Sequence, residues 1–346
     1  MSRGQVRRTR LIWMITGVLV GLYGEGNERA YGRLFTVTNN CPFTIWPAMF
    51  TDLSVGTAVP DFPTGWEAQP FTSVNFGVPD NWKAGRIWGR RDCDFTITAG
   101  PTCLTGWCNG GLLCDNTTGT GVPPASVAEW TLQGDGNRDF YDVSLVDGYD
   151  LPMSVTNSVN CPVASCSVDL GPICPQPIQG PFDSTGFPVG CKSACFANLD
   201  GNPNDSANCC SGSHSTAATC PPSGVEFYDF FKGNCPDAYA YAFDESSGTA
   251  LWTCDSGLNA DYTLTFCPPA NGTQAIASPS SSGAIVTTGT SLPDTTPTRA
   301  NVSSSASSSD TGVPIISPVQ SSQAYPEIPM SSLVLFISAV VAMSRL

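Results

Sequence analysis

Histidine is almost missing from this chain: His214 is the only one among 346 residues. Ser-His-Asp and Cys-His sites need an imidazole base, so both are unsupported unless His214 serves. That residue stands in the Ser-rich stretch GSHST between Cys210 and Cys220 and reads as a surface loop residue. There is no Cys-x2-Cys pair, so the usual zinc spacings are absent as well. Neither a metal nor a cofactor is expected. No Gly-rich phosphate loop precedes a helix, which leaves nucleotide binding unsupported. Basic residues are scarce, with 15 Lys and Arg against 29 Asp and Glu. The imbalance is concentrated in 33–267, where 8 basic and 24 acidic residues give a formal charge of −16. Nucleic acid and anionic membrane surfaces require a basic footprint, so neither is expected as a partner. The acidity fits a neutral or cationic ligand, or simply solubility.

Cysteine, in contrast, is abundant. All 16 lie within 41–267, irregularly spaced and even in number. That pattern reads as a disulfide framework built in an oxidising compartment. Eight fall between Cys166 and Cys235, among Gly, Pro, Ser and Asn that make a poor hydrophobic core, so this part depends on its bridges. Adjacent Cys209 and Cys210 are expected to pair outward, because a bond between neighbours is strained.

Both ends read as targeting signals. Arg3, Arg7, Arg8 and Arg10 precede a short apolar run at 11–23, followed by Gly24, Gly26 and Ala30. Residues 1–30 therefore read as a signal peptide, with an uncleaved anchor as the alternative. Residues 268–322 are rich in Ser, Thr and Pro and cannot bury enough surface to fold, which predicts a disordered stalk. The spacer and terminal apolar run in 323–346 resemble a GPI-attachment signal, with attachment near 321–322 or 310–312. A secreted protein with an apolar tail, or a short single-span anchor, is the alternative. Asn116, Asn204, Asn271 and Asn301 open glycosylation sequons, in keeping with secretion.

The folded domain is assigned to 33–267. RLFTVTNN, FTIWPAMF, GRIWGRR, CDFTITAG, VAEWTL, DFYDVSLVD and YTLTFCP are β-rich runs separated by turn residues. Many short strands predict an all-β sandwich or barrel. Two stretches, CKSACFANL and EFYDFFKGNC, are candidates for short helices.

The motifs FTVTNNCPFTIWPA, GRIWGRRDCDF, GPTCLTGWCNGGLLC, PPASVAEWTL, FYDVSLVDGYDLPM, NCCSG, FFKGNCPDAYAYAFDE and YTLTFCP resemble the thaumatin-like proteins, which include osmotin and the pathogenesis-related antifungal proteins. The resemblance spans essentially all of 33–267, and the 16 cysteines match the family's in order. One departure is Trp107, where the family usually has Asp. The resemblance implies the pairs Cys41–Cys267, Cys93–Cys103, Cys108–Cys114, Cys161–Cys254, Cys166–Cys235, Cys174–Cys191, Cys195–Cys209 and Cys210–Cys220. It also implies a flattened β-sandwich (33–90, 125–166 and 235–267), a bridge-rich lobe with a short helix (about 167–234) and a two-bridge excursion (91–124).

With histidine excluded, acid–base work falls to carboxylates. Glycoside hydrolysis uses two, one protonated to release the leaving oxygen and one as nucleophile or base. Crowding of like charges raises a carboxyl's pKa enough to keep it protonated. The family resemblance implies an acidic cleft lined by Arg86, Glu129, Asp142, Asp147 and Asp244, with Glu245 the alternative to Asp244. In RDFYDVSLVDGYD, strand alternation puts Asp142, Ser144 and Val146 on one face, with Val143 and Leu145 on the other. Asp139 is expected in the preceding turn and Asp150 as a solvated loop charge. Trp82 reads equally as a sugar-stacking platform or a core residue.

Three functions follow, two from the resemblance and one from the stalk and tail. The first is a secreted endo-β-1,3-glucanase, with Glu129 as general acid, Asp147 as nucleophile or base, and Arg86, Asp142 and Asp244 tuning and positioning. The second is a non-catalytic module whose cleft holds glucan or a basic patch of a partner. The third is a structural wall protein on a glycosylated stalk. A monomer at the cell surface or in the wall is expected, touching membrane only through the anchor.

Overall fold

The computed structural model describes residues 32–97 and 100–269. The stretches read above as a signal peptide and a GPI-type tail, Asn271 and Asn301, and the expected stalk from 270 onward lie outside the described residues. Twelve strands occur among them, in the order β1 (Arg33–Asn39), β2 (Ala48–Thr51), β3 (Thr72–Val78), β4 (Gly85–Trp88), β5 (Arg91–Cys93), β6 (Cys103–Thr105), β7 (Val127–Gly134), β8 (Arg138–Ser144), β9 (Met153–Asn157), β10 (Ala164–Cys166), β11 (Trp252–Asp255) and β12 (Tyr262–Phe266). One α-helix, α1 (Tyr228–Asn234), lies between β10 and β11. Two five-stranded sheets, β10-β9-β12-β1-β3 and β11-β8-β7-β4-β2, form the body, and β5-β6 is a separate ribbon. Strand β1 shows why a sheet forms: RLFTVTN alternates, and Phe35 and Val37 point inward. β1 and β12, at opposite ends of the domain, pair in parallel, and Cys41–Cys267 closes the chain just beyond them.

The inner faces meet in an aromatic cluster in which the Phe35 ring lies 5.7 Å from Trp82, 5.1 Å from Trp130 and 5.4 Å from Tyr262. Trp82 is wholly buried there, its Nε1 donating to Thr51 Oγ1 at 2.8 Å. It is a core residue and offers no face to a sugar.

Two aspartates depart from expectation for the same physical reason. Asp139 lies inside β8 on its apolar side, fully buried. Buried Arg33 of β1 donates to it from Nη1 at 3.2 Å, and Tyr262, Ser256 and the Gln133 amide add hydrogen bonds. Asp150 is also buried, accepting from the Ser126 amide at 3.0 Å and from Thr105 Oγ1 at 2.8 Å. A buried carboxyl is tolerated where donors saturate it, and here the donors come from distant parts of the chain.

The eight disulfides join the same partners that the family resemblance implied. Cys209 and Cys210 do pair outward, to Cys195 and Cys220. Cys161–Cys254 and Cys166–Cys235 pin both ends of the stretch 235–254 to the short segment around β10. Of the strand-like runs, 93–100 departs. After Cys93 it turns, because Asp94 Oδ1 accepts from the Thr96 amide and hydroxyl at 2.9 and 2.6 Å. The stretch 191–199 forms successive turns without a regular helix, whereas α1 falls within EFYDFFKGNC and buries Phe231.

Candidate functional site

The outer face of the β11-β8-β7-β4-β2 sheet is the floor of a cleft. Alternation decides what lines it. On β8 and just beyond, Tyr141, Val143 and Leu145 turn into the core, while Phe140, Asp142, Ser144 and Val146 line the cleft. On β7, Ala128 and Leu132 turn inward, and Glu129 and Thr131 line it. Arg86 projects from β4 beside buried Ile87. The residue before it must be glycine, since a Cβ at Gly85 would sit 2.1 Å from the Trp82 ring. Strand register sets Arg86 opposite Glu129 and Glu129 opposite Asp142, a single charged row across three strands.

The opposite wall comes from the stretch pinned by Cys235 and Cys254, which supplies Tyr239, Ala242, Glu245 and Leu251. Two backbone hydrogen bonds dock it on the end of β8: Tyr239 N to Val143 O, and Leu145 N to Tyr239 O, both 2.9 Å. Asp147 follows β8 in a turn. Gly148, at φ +84°, makes the reversal, and a Cβ there would meet Cys191 O at 2.7 Å.

Charge in the cleft is unevenly compensated. Arg86 Nη2 donates to Glu129 Oε1 at 2.7 Å, and its Nη1 lies 4.0 Å from Asp147 Oδ2. Burial opposes the arginine's charge, but Glu129 and Asp147 outweigh it and hold the guanidinium pKa up. Asp142 is 4% exposed. Burial first, then the Glu129 charge, push its carboxyl well above the usual range against the pull of Arg86, with Glu245 adding to the rise. Asp147 is also raised, chiefly by burial, with Arg86 working in the opposite direction. Asp142 Oδ1 is buried without a hydrogen-bond partner.

Residues 39–268 match the Thaumatin family. The chain belongs to the thaumatin family. It is 40% identical over 246 residues to "Pathogenesis-related thaumatin-like protein 3.5" of Cryptomeria japonica, covering 70% of this chain and 93% of that one. Against "Pathogenesis-related protein 5" of Arabidopsis thaliana it is 40% identical over 237 residues, 68% and 90% of the two chains. Against "Glucan endo-1,3-beta-glucosidase" of Prunus avium it is 37% identical over 243 residues, 69% and 92%.

The thaumatin-family fold thus brings Arg86, Glu129, Asp142, Asp147 and Glu245 to one cleft. Asp244 is the exception. It is fully buried behind the wall, paired with Lys232 at 3.0 Å and accepting from Tyr228 Oη and the Ala240 amide, both 2.9 Å. A 3-10 turn at Asp244–Ser247 rotates neighbouring residues to different sides, so Glu245 takes the cleft position. Phe140 and Tyr239 were not singled out in the sequence. Phe140 was legible by alternation, two residues before Asp142. Tyr239, whose Oη donates to Glu245 Oε1 at 3.3 Å, gave no signal, because its place depends on how the stretch 235–254 docks on β8. His214 lies on an exposed loop, its Nδ1 3.0 Å from Thr219 O. Asn116 and Asn204 are exposed. The eight disulfides fit an extracellular protein.

Proposed function

We propose that the cleft binds β-1,3-glucan and hydrolyses it internally by a two-carboxylate mechanism. The observation that carries the reading is one concave group of Glu129, Asp142 and Asp147 with a single guanidinium, Phe140 on its floor and Tyr239 on the facing wall. Carboxylates in unequal surroundings divide into donor and acceptor, and aromatic faces suit sugar rings. The likeness to a relative named as a glucan endo-1,3-beta-glucosidase supports the substrate class. Asp147, whose side chain is 29% exposed, serves as nucleophile or as base for water. Arg86 orients Glu129 and Asp147, and Glu245 contacts the sugar chain from the opposite wall.

Purified wild-type domain incubated with laminarin should release new reducing ends. Asp147→Asn should lower the rate at least a hundredfold while laminarin still binds, a loss typical of removing one acid–base group. Binding without release in the wild type would replace the enzyme with the non-catalytic module. Neither binding nor release would end both readings.

The chain leaves the cell through its N-terminal signal, carries N-glycans at Asn116 and Asn204, and is held at the surface or wall by a GPI anchor on its Ser/Thr/Pro stalk. Phosphatidylinositol-specific phospholipase C should release it from intact cells, and a protein already free in the medium would refute the anchor.

A further inference from the structure

We propose that Asp142, rather than Glu129, carries the labile proton of the cleft and delivers it to the ligand's oxygen. The inference rests on reading the cleft as a glucan site and assigns one of that site's two roles. Its basis is the order of the charged row. Arg86 stands at one end, Glu129 in the middle and Asp142 at the far end. The guanidinium contacts Glu129 at 2.7 Å and reaches Asp147 at 4.0 Å. Asp142 is the carboxyl of the row without a cation. It faces Glu129 across the strand pair, and directly opposed residues have Cβ atoms about 4.5–5.5 Å apart.

No group in contact relieves a charge on it: Arg86 pulls against the rise but makes its ion pairs with Glu129 and Asp147. Its Oδ1 is buried with no hydrogen-bond partner. The Tyr239 hydroxyl, the neutral donor on the facing wall, is engaged with Glu245 at 3.3 Å. A buried carboxylate with no cation and a bare oxygen beside a second carboxylate is costly, and it escapes that cost by taking a proton. The upward shift of its carboxyl agrees with this geometry. Glu129, in contrast, accepts a charge-assisted hydrogen bond from Arg86, as a positioning carboxylate does. The charged and titratable groups facing Asp142 are Glu129 and Arg86 on the floor, with Glu245 and Tyr239 on the wall.

The chemistry balances without a co-reactant other than water. The Asp142 O–H bond breaks and its proton goes to the glycosidic oxygen. The bond from that oxygen to the anomeric carbon breaks, and the electron pair leaves with the departing sugar. The anomeric carbon is taken either by Asp147 directly or by a water that Asp147 deprotonates. In the first case a second water, giving its proton to Asp142, opens the glycosyl–Asp147 bond. In the second, Asp142 is reprotonated from solvent and Asp147 returns its proton there.

Two readouts test the assignment. In wild-type protein with 13C-labelled aspartate carboxyls, the signal lost in Asp142→Asn should have the chemical shift of a neutral acid at pH 6. In Glu129→Gln it should titrate at lower pH, since a neighbouring negative charge has gone. An Asp142 signal already ionised at pH 6 overturns the proposal. The second readout is leaving-group dependence. Asp142→Asn should cut laminarin hydrolysis 10²- to 10⁴-fold. It should cost less than tenfold on a 2,4-dinitrophenyl β-1,3-glucoside, whose leaving group needs no proton. If Glu129→Gln shows that selective loss and Asp142→Asn does not, the donor is Glu129. The carboxyl signal requires no turnover, so a wild type inactive on laminarin sinks the hydrolase reading, and the signal alone then decides the proton's place.

Discussion

Asp139→Ala is expected to lower the unfolding free energy by about 3–5 kcal/mol, the range for removing one partner of a buried ion pair. Arg33 keeps Asp80, at 2.8 Å from its Nε, but Asp80 is 42% exposed at its side chain and compensates weakly. The loss therefore has a second source. Tyr262 Oη and Ser256 Oγ donate to Asp139 and would be left buried without acceptors, and the part-buried Gln133 amide would lose its acceptor too. Each such orphan costs about 1–3 kcal/mol. The double variant Arg33→Met/Asp139→Leu should cost clearly less than the sum of its parts, because it removes charge and counter-charge together. Denaturant melts of the four proteins give the comparison. Additive losses would mean that the two charges act independently and that the pair across β1 and β8 is not a unit.

Asp150→Asn should change how stability depends on pH. Burial pushes the Asp150 carboxyl up to about 7, against the pull of the Ser126 and Thr105 hydrogen bonds and the charge of Arg91. In the unfolded chain the same group titrates near 3.8. Between those values the folded state keeps a proton that the unfolded state has released. Stability therefore falls as pH rises through this window, by about 1.4 kcal/mol per pH unit for one group. Below it both states are protonated, and above it both are ionised, so the Asp150 contribution is flat. The asparagine variant lacks the slope. Its stability relative to wild type should rise by about 3 kcal/mol from pH 4 to pH 7. Asp142 and Asp147, raised in the same direction, cancel in the difference. A difference that stays level across the window would place the Asp150 titration elsewhere.

These two residues also mark where reading the sequence ran out. Alternation along FYDVSLV sorted Asp142 from Val143 and Leu145 because the period of a strand is a local property. Whether an aspartate on the apolar face stays in the strand depends on who meets it. For Asp139 the answer lies 106 residues away in Arg33, and for Asp150 it lies in Thr105 and Ser126. Neither partner has a signature in sequence. The choice between Asp244 and Glu245 stayed open for a smaller reason. In a tight turn, one residue of offset reverses which side chain faces out, and Lys232 of α1 captured Asp244. The strands β3, β6, β9, β10 and β11 were not picked out, because TSVNFGV, CLT, MSVTN, ASC and WTCD are short or interrupted by polar residues, and their neighbours in the sheet complete them. The cysteine pairing lay beyond spacing and came from the family pattern.

The stretch running from Cys235 to Cys254 has a consequence for inheritance. It is riveted at each end to the segment around β10, and two main-chain hydrogen bonds lay it on the end of β8. The cleft-facing side chains of Tyr239, Ala242, Glu245 and Leu251 take no part in those bonds, whereas buried Ala238, Ala240 and Asp244 pack or pair to hold the stretch. Exchanging 236–253 between thaumatin-family members would replace Tyr239, Ala242, Glu245 and Leu251 at once, leaving the row of Arg86, Glu129 and Asp142 in its strands. A cleft divided in this way can be altered on one bank while the charged row on the other stays fixed in its strands.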